Sequence, residues 1–194
     1  MQHTNLSHQI WPVAADANLI RNLTLAVMGS LIVALAAQIH VPMIPVPMTL
    51  QTLAVLAIGA AYGSKLGAGT LAIYALEGVS GLPVFAGMNS LFKPDGTMIA
   101  SIGYIAGFIP AAYIVGWLAE RGWDRNPLKL TIACLLGAAV LYVPGLIWLN
   151  TIIADWNVTI AEGMSKFILG DVIKAVIAAL GIRAAWSLLG KSST

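Results

Sequence analysis

Charge is what this chain has least of. Of its 194 residues, 9% are charged and 59% are hydrophobic, whereas soluble domains average about 25% charged residues. So few charges cannot cover a water-facing surface, which excludes an ordinary soluble globule. Histidine is nearly as scarce. His3, His8 and His40 are the three in the chain, so neither a His-rich metal cluster nor a paired-histidine zinc motif can be built, and no metal or cofactor is expected. The single cysteine, Cys134, lies in an apolar run and can form no internal disulfide. Burial among apolar groups disfavours its thiolate, which argues for packing over reactivity. No nucleophile elbow exists, since Gly78–Val79–Ser80–Gly81 does not fit Gly-x-Ser-x-Gly. In Gly59–Ala60–Ala61–Tyr62–Gly63–Ser64–Lys65, three residues separate the glycines and the lysine does not follow the glycine directly. A phosphate-binding loop needs four there and an adjacent lysine. These absences argue against an enzyme and against ATP as a fuel used by this chain alone. Nothing in the sequence points to nucleic acid.

What is present is length of apolar run. A helix crossing the bilayer core needs roughly 20 mostly apolar residues, and its backbone groups must be satisfied within the segment. The sequence predicts an all-α integral membrane bundle surrounded by lipid, with spans at about Leu19–Ile39, Met48–Tyr62, Leu66–Phe85, Ile99–Ala119, Leu128–Asn150 and Lys166–Leu189. Residues 1–18 read as a short cytoplasmic or interfacial tail without a removable signal, residues 19–189 as one transmembrane domain, and 190–194 as a short polar tail. Gly59, Gly63 and Gly67 mark a tight reversal between the second and third spans, and Pro110 and Pro144 predict kinks.

Basic residues orient the bundle. Seven (Arg21, Lys65, Arg121, Arg125, Lys129, Arg183 and Lys191) fall on one side, against Lys93 and Lys166 on the other. The side richer in basic residues is cytoplasmic, so both termini are expected inside and the odd-numbered loops outside. Trp117, Trp123 and Trp186 sit near the predicted inner ends, and Trp148 and Trp156 flank an outer one. The first outer loop, His40 to Pro47, holds three prolines in six positions and cannot become helix. The third, Gly87 to Met98, is polar. Together they suggest a lidded pocket open to the outside, although two plain connectors would look the same.

Ionisable residues inside a membrane are functional candidates by default. Asp171 and Lys174 are three apart on the sixth span and share a helix face. They either neutralise one another or offer an acceptor and a donor to a polar ligand, and the desolvation cost of such a pair favours the ligand. Glu77 is the other intramembrane acid, open to three roles: lining the pocket, bonding a neighbouring helix, or carrying a proton. Ala26, Ser30 and Ala34 repeat every four residues on the first span, as do Gly103 and Gly107 on the fourth. Such stripes allow close helix approach, either inside the bundle or at a docking face for a partner subunit.

Val46–Pro47–Met48–Thr49–Leu50–Gln51–Thr52, then Tyr74 through Gly81–Leu82–Pro83–Val84–Phe85–Ala86–Gly87, Gly103–Tyr104 with Gly107–Phe108, and Gly170–Asp171–Val172–Ile173–Lys174 together resemble the BioY family. Its members are substrate-binding (S) components of energy-coupling factor vitamin transporters. The resemblance runs from about Leu19 to Ala185. It implies a six-helix S component that binds biotin near its outer face. Its partners would be a transmembrane T component, met by the Ala26–Ser30–Ala34 stripe, and two ATP-binding-cassette ATPases. Asp171 would accept from the urea N–H groups of biotin and Lys174 would donate to its carbonyl. Asn89 and Lys93 would serve the carboxylate, and Gln51 and Tyr104 would complete the pocket, unless Gln51 joins helices and Tyr104 anchors the interface. The chain departs from the family's glycine-rich pattern at Met88–Asn89–Ser90–Leu91–Phe92 and at Ala100–Ser101–Ile102–Gly103–Tyr104, the segments that would shape the carboxylate end. Rival readings are another vitamin on the same scaffold and a secondary transporter with Glu77 or Asp171 as proton carrier. A channel is disfavoured because no ring of polar residues recurs across the spans.

Overall fold

Apolar runs that must satisfy their own backbone fold as helices, and the computed structural model, which describes residues 6–11 and 18–191, is built of them. In chain order the elements are α1 (Leu6–Ile10), α2 (Asn18–Gln38), β1 (His40–Val41), β2 (Met48–Thr49), α3 (Gln51–Tyr62), α4 (Ser64–Val79), α5 (Ile102–Ala119), α6 (Pro127–Ile153), α7 (Trp156–Ile160) and α8 (Ile168–Lys191). The six long helices overlap the six apolar stretches read from the sequence. The expected tails fall partly on 1–5, 12–17 and 192–194, which lie outside the described residues. Within the first tail, α1 is helical and its Leu6 is buried in the core.

Hydrogen bonds between element ends set the topology. The start of α4 meets the end of α5, where the Glu120 carboxylate accepts from the Ser64 amide at 2.8 Å. That places an anion at a helix N-terminus, where the dipole favours it. The end of α8 meets the α5–α6 turn, where the Trp186 indole donates to Asp124 at 2.8 Å. At the opposite end the starts of α3 and α8 meet, with Thr52 donating to Asp171 at 3.2 Å. Successive long helices therefore run in alternating directions. The β hairpin and the 80–101 loop gather at one end, called here the hairpin end.

Three helices, Leu19–Gln38, Ile102–Ala119 and Pro127–Ile153, are long and apolar enough to cross a membrane by length and composition. The chain is a membrane protein. The second expected span is shorter than read, because Met48 and Thr49 pair with Val41 and His40 in an antiparallel ribbon and helix begins only at Gln51. Pro47, with no N–H to donate, ends the loop where the ribbon closes. The third span stops at Val79 rather than Phe85, since Gly81 (φ +100°) and Pro83 end it. Pro110 and Pro144 lie within helices that continue through them.

The glycine reversal forms as expected. Gly63 joins α3 to α4 at φ +84°, and a Cβ on Gly59 would stand 2.7 Å from the Ala112 carbonyl oxygen of α5. On α5, a Cβ at Gly107 would meet the Leu141 carbonyl oxygen at 2.6 Å, so that stripe joins α5 to α6. The α2 stripe faces the bundle. Ala26 and Ser30 are buried and Ala34 packs against the core, with the Ser30 hydroxyl donating to Glu77 of α4 at 2.9 Å. The small residues lie where α4 approaches α2. The exposed face of α2 carries Leu23, Val27, Leu31 and Leu35 instead.

Candidate substrate-binding site

A cavity of about 520 Å3, its open mouth included, lies under the hairpin end. Sheltered ligand pockets commonly combine apolar walls with a few convergent polar groups. This one has that make-up. Ile105, Phe108, Leu141 and Phe167 form apolar wall, and Val46 and Pro47 of the hairpin loop and Ala86 of the 80–101 loop contribute the loop side. Thr52, Tyr142, Asp171 and Lys174 supply polar groups from three helices.

Those four are bonded to one another. The Lys174 ammonium lies 3.2 Å from Asp171 Oδ1 and donates to the Thr52 hydroxyl at 3.0 Å. Thr52 in turn donates to the same Asp171 oxygen, while Tyr142 donates to Asp171 Oδ2. Asp171 and Lys174 are 5% and 8% exposed, so the pair is desolvated. Burying an ion pair often returns no more than it costs, whereas removing one partner is expensive. Stability is therefore a poor reason for its presence, and the cavity beside it supplies another. A carboxylate here can accept further N–H donors, and an ammonium with a third proton can donate to a carbonyl.

A model of the BioY family matches residues 3–191 of the chain. The chain belongs to the BioY family. It is 34% identical over 166 residues to the biotin transporter BioY of Thermotoga maritima, covering 83% of this chain and 93% of that one. The biotin transporter BioY of Rhizobium etli is 36% identical over 164 residues, covering 80% and 87% respectively. Among solved structures, a crystal structure of the S-component for biotin from an ECF-type ABC transporter matches with a TM-score of 0.75. That match covers 90% of this chain and 95% of the other at 22% identity, and it shows the shared fold.

The other candidate residues divide within this BioY-family bundle. Gln51 and Tyr104 line the cavity beside Asp171 and Lys174. Gln51 is largely a brace, its amide donating to the Tyr74 hydroxyl and its carbonyl accepting from Thr49. Tyr104 is buried, donates to the Gly163 carbonyl at 2.9 Å and stands edge-on to Tyr142 at 6.2 Å. Asn89, Lys93 and Glu77 do not line the cavity. Asn89 donates to the Ala86 carbonyl of its own loop at 2.7 Å, and Lys93 is exposed. In that loop the Thr97 hydroxyl, 2.6 Å away, and its amide hold the Asp95 carboxyl below the usual carboxylate range. Glu77 joins α4 to α2 through Ser30.

Three contributors were not singled out from sequence. Thr52 follows Gln51 in the first turn of α3, so its hydroxyl had a signal in its neighbour. Tyr142 is a phenol within the apolar run of α6, and a buried tyrosine usually finds a partner for its hydroxyl. Gln38, the last residue of α2, bonds the Phe85 carbonyl at 3.1 Å and the Met88 amide at 3.0 Å, pinning the loop that carries Ala86.

Proposed function

We propose that this chain is a high-affinity biotin-binding subunit, and no enzyme, of a vitamin uptake transporter. Biotin presents a cyclic urea with two N–H donors and one carbonyl, an apolar bicyclic ring and chain, and a terminal carboxylate. Asp171 accepts from the urea N–H groups and Lys174 donates to the carbonyl, with Thr52 and Tyr142 holding both in place. Phe108, Leu141 and Phe167 cover the apolar ring. Each charge-assisted bond contributes ~1.5–3 kcal/mol in such a setting. The observation that carries the reading is the bonded set Asp171–Lys174–Thr52–Tyr142 against an otherwise apolar cavity. Biotin as the ligand is further supported by likeness, since both relatives are biotin transporters and the matched crystal structure is that of an S-component for biotin.

The hairpin end faces outward in this reading, and both termini lie on the cytoplasmic side of a bacterial cell membrane, in keeping with seven basic residues on one side and two on the other. Biotin enters from the hairpin end. Inward delivery is driven by partners, a transmembrane T component and two ATP-binding-cassette ATPases, because the chain carries no phosphate-binding loop. The proton-carrier alternative draws no support at Glu77, which bonds Ser30 away from the cavity. Equilibrium dialysis of radiolabelled biotin against the purified, folded chain tests the proposal. Saturable retention near one biotin per chain is expected, and no retention would end it.

A further inference from the structure

We propose that Gly145 and Gly163 are positioning residues of the binding site: they recess the Tyr104 ring and so set the width of the chamber. The inference rests on the biotin reading above for its assay, but its ground is packing and not the pose of a ligand. Tyr104 lines the cavity from the first turn of α5. Around it α5 lies backbone to backbone on α6. A Cβ at Gly103 would stand 2.6 Å from the Pro144 carbonyl oxygen, and one at Gly107 2.6 Å from that of Leu141. Helices this close leave room for a ring between them only over a residue without a side chain. Gly145 of α6 is that residue. A Cβ there would lie 2.4, 2.5 and 2.7 Å from Tyr104 Cδ1, Cε1 and Cγ. Gly145 is not among the glycines of positive φ, so what it supplies is room and not an unusual backbone.

The hydroxyl end of the same ring meets the second glycine. Gly163 sits in a single π turn, Ala161–Ser165, between α7 and α8, a rare geometry often found at functional sites. It lines the cavity, and its carbonyl accepts from Tyr104 at 2.9 Å. A Cβ on it would stand 2.5 Å from the Tyr104 hydroxyl oxygen. Ring face and ring tip thus each rest on bare backbone. Because Cγ lies at the root of the ring, a methyl group at position 145 cannot be cleared by moving the ring's tip alone. The ring must turn away from α6. It then moves into the chamber it lines or against Tyr142, which stands edge-on at 6.2 Å and donates to Asp171. Either shift is felt by the binding set.

The test is a double-variant cycle on the purified intact chain, titrated with radiolabelled biotin so that Kd and sites per chain are read separately. Gly145→Ala is expected to raise Kd about five- to hundredfold, the range of overpacking costs, at close to one site per chain. With Tyr104→Leu, where no ring needs the seat, the same substitution should change Kd by less than about twofold, because uncoupled sites add independently. Equal losses in both backgrounds overturn the inference. So does an unchanged Kd for Gly145→Ala, or a loss seen only as fewer sites per chain, which is unfolding. Should Gly145→Ala or Tyr104→Leu yield no folded, binding protein, Gly163→Ala with and without Tyr104→Phe takes their place. A loss with the hydroxyl present and none without it supports the inference, and equal losses overturn it. If the unaltered chain retains no biotin, the biotin reading falls and takes this one with it.

Discussion

The two ends of the bundle are packed with different residues. Around the cavity the core holds Tyr74, Phe85, Tyr104, Phe108, Tyr142 and Phe167. Toward the opposite end it holds Ala60, Ala119, Ala133, Ala175, Ala178 and Ala179 with Leu56, Leu130 and Trp186. Rings are wide and rigid, and they keep helices apart while placing hydroxyls at their edges, as Tyr142 does for Asp171 and Tyr104 for Gly163. Alanine lets helix backbones close up until no space remains. Helix α8 belongs to both regions, with Asp171 and Lys174 on the cavity and Ala175, Ala178 and Ile182 in the closed core below. The cavity thus gives way to small-residue packing within one turn of one helix. On the proposed function, a ligand admitted at the hairpin end meets this packing on its way inward, so delivery would require the helices to rearrange.

The largest expected effect breaks the polar end. Lys174→Met leaves the Asp171 carboxylate buried without its cation, a change that costs about 3–5 kcal/mol. Thermal unfolding in detergent should show that loss, and biotin retention should disappear. The double variant Asp171→Asn with Lys174→Met removes both charges. It should recover much of the stability and none of the binding. Wild-type affinity in a folded double variant would mean that the pair serves only to neutralise itself.

How much of this was legible beforehand follows the same division. Apolar length announced the six helices, because backbone satisfaction in lipid leaves few options. The i, i+3 spacing put Asp171 and Lys174 on one face. Thr52 and Tyr142 reach Asp171 from 119 and 29 residues away, and no local pattern encodes a meeting of three helices. The stripe on α2 was visible but not its direction, since small residues repeat in the same way whether a helix meets its own bundle or a partner. Asn89 and Lys93 are polar and lie in the 80–101 loop, yet a loop's own turns can take up such groups, as the Ala86 carbonyl takes Asn89.

The middle-sized effect probes the closed end. Ala178 is 4% exposed among Leu130, Ala133 and Ile182, and Leu in its place adds volume to a packed core, costing about 1–3 kcal/mol. The melting temperature of Ala178→Leu should fall, while biotin affinity of the folded protein stays within about twofold. If the variant remains folded and loses biotin, the alanine packing shapes the chamber as well as sealing it, and the two ends are not separable.

The smallest effect concerns polar groups near the hairpin end that hold helices and not ligand. Ser30 donates to Glu77 across the α2–α4 seam at 2.9 Å, away from the cavity lining. Hydrogen bonds between membrane helices average about 0.6 kcal/mol, because the separated helices find other partners. Ser30→Ala should therefore lower thermal stability by that order and leave biotin retention unchanged. Glu77 makes the comparison sharper. Were it a proton carrier for transport, Glu77→Gln would stop uptake in cells while retaining binding and the hydrogen bond to Ser30. As a helix-joining group it should tolerate Gln in both assays, since an amide oxygen accepts from the Ser30 hydroxyl as a carboxylate does.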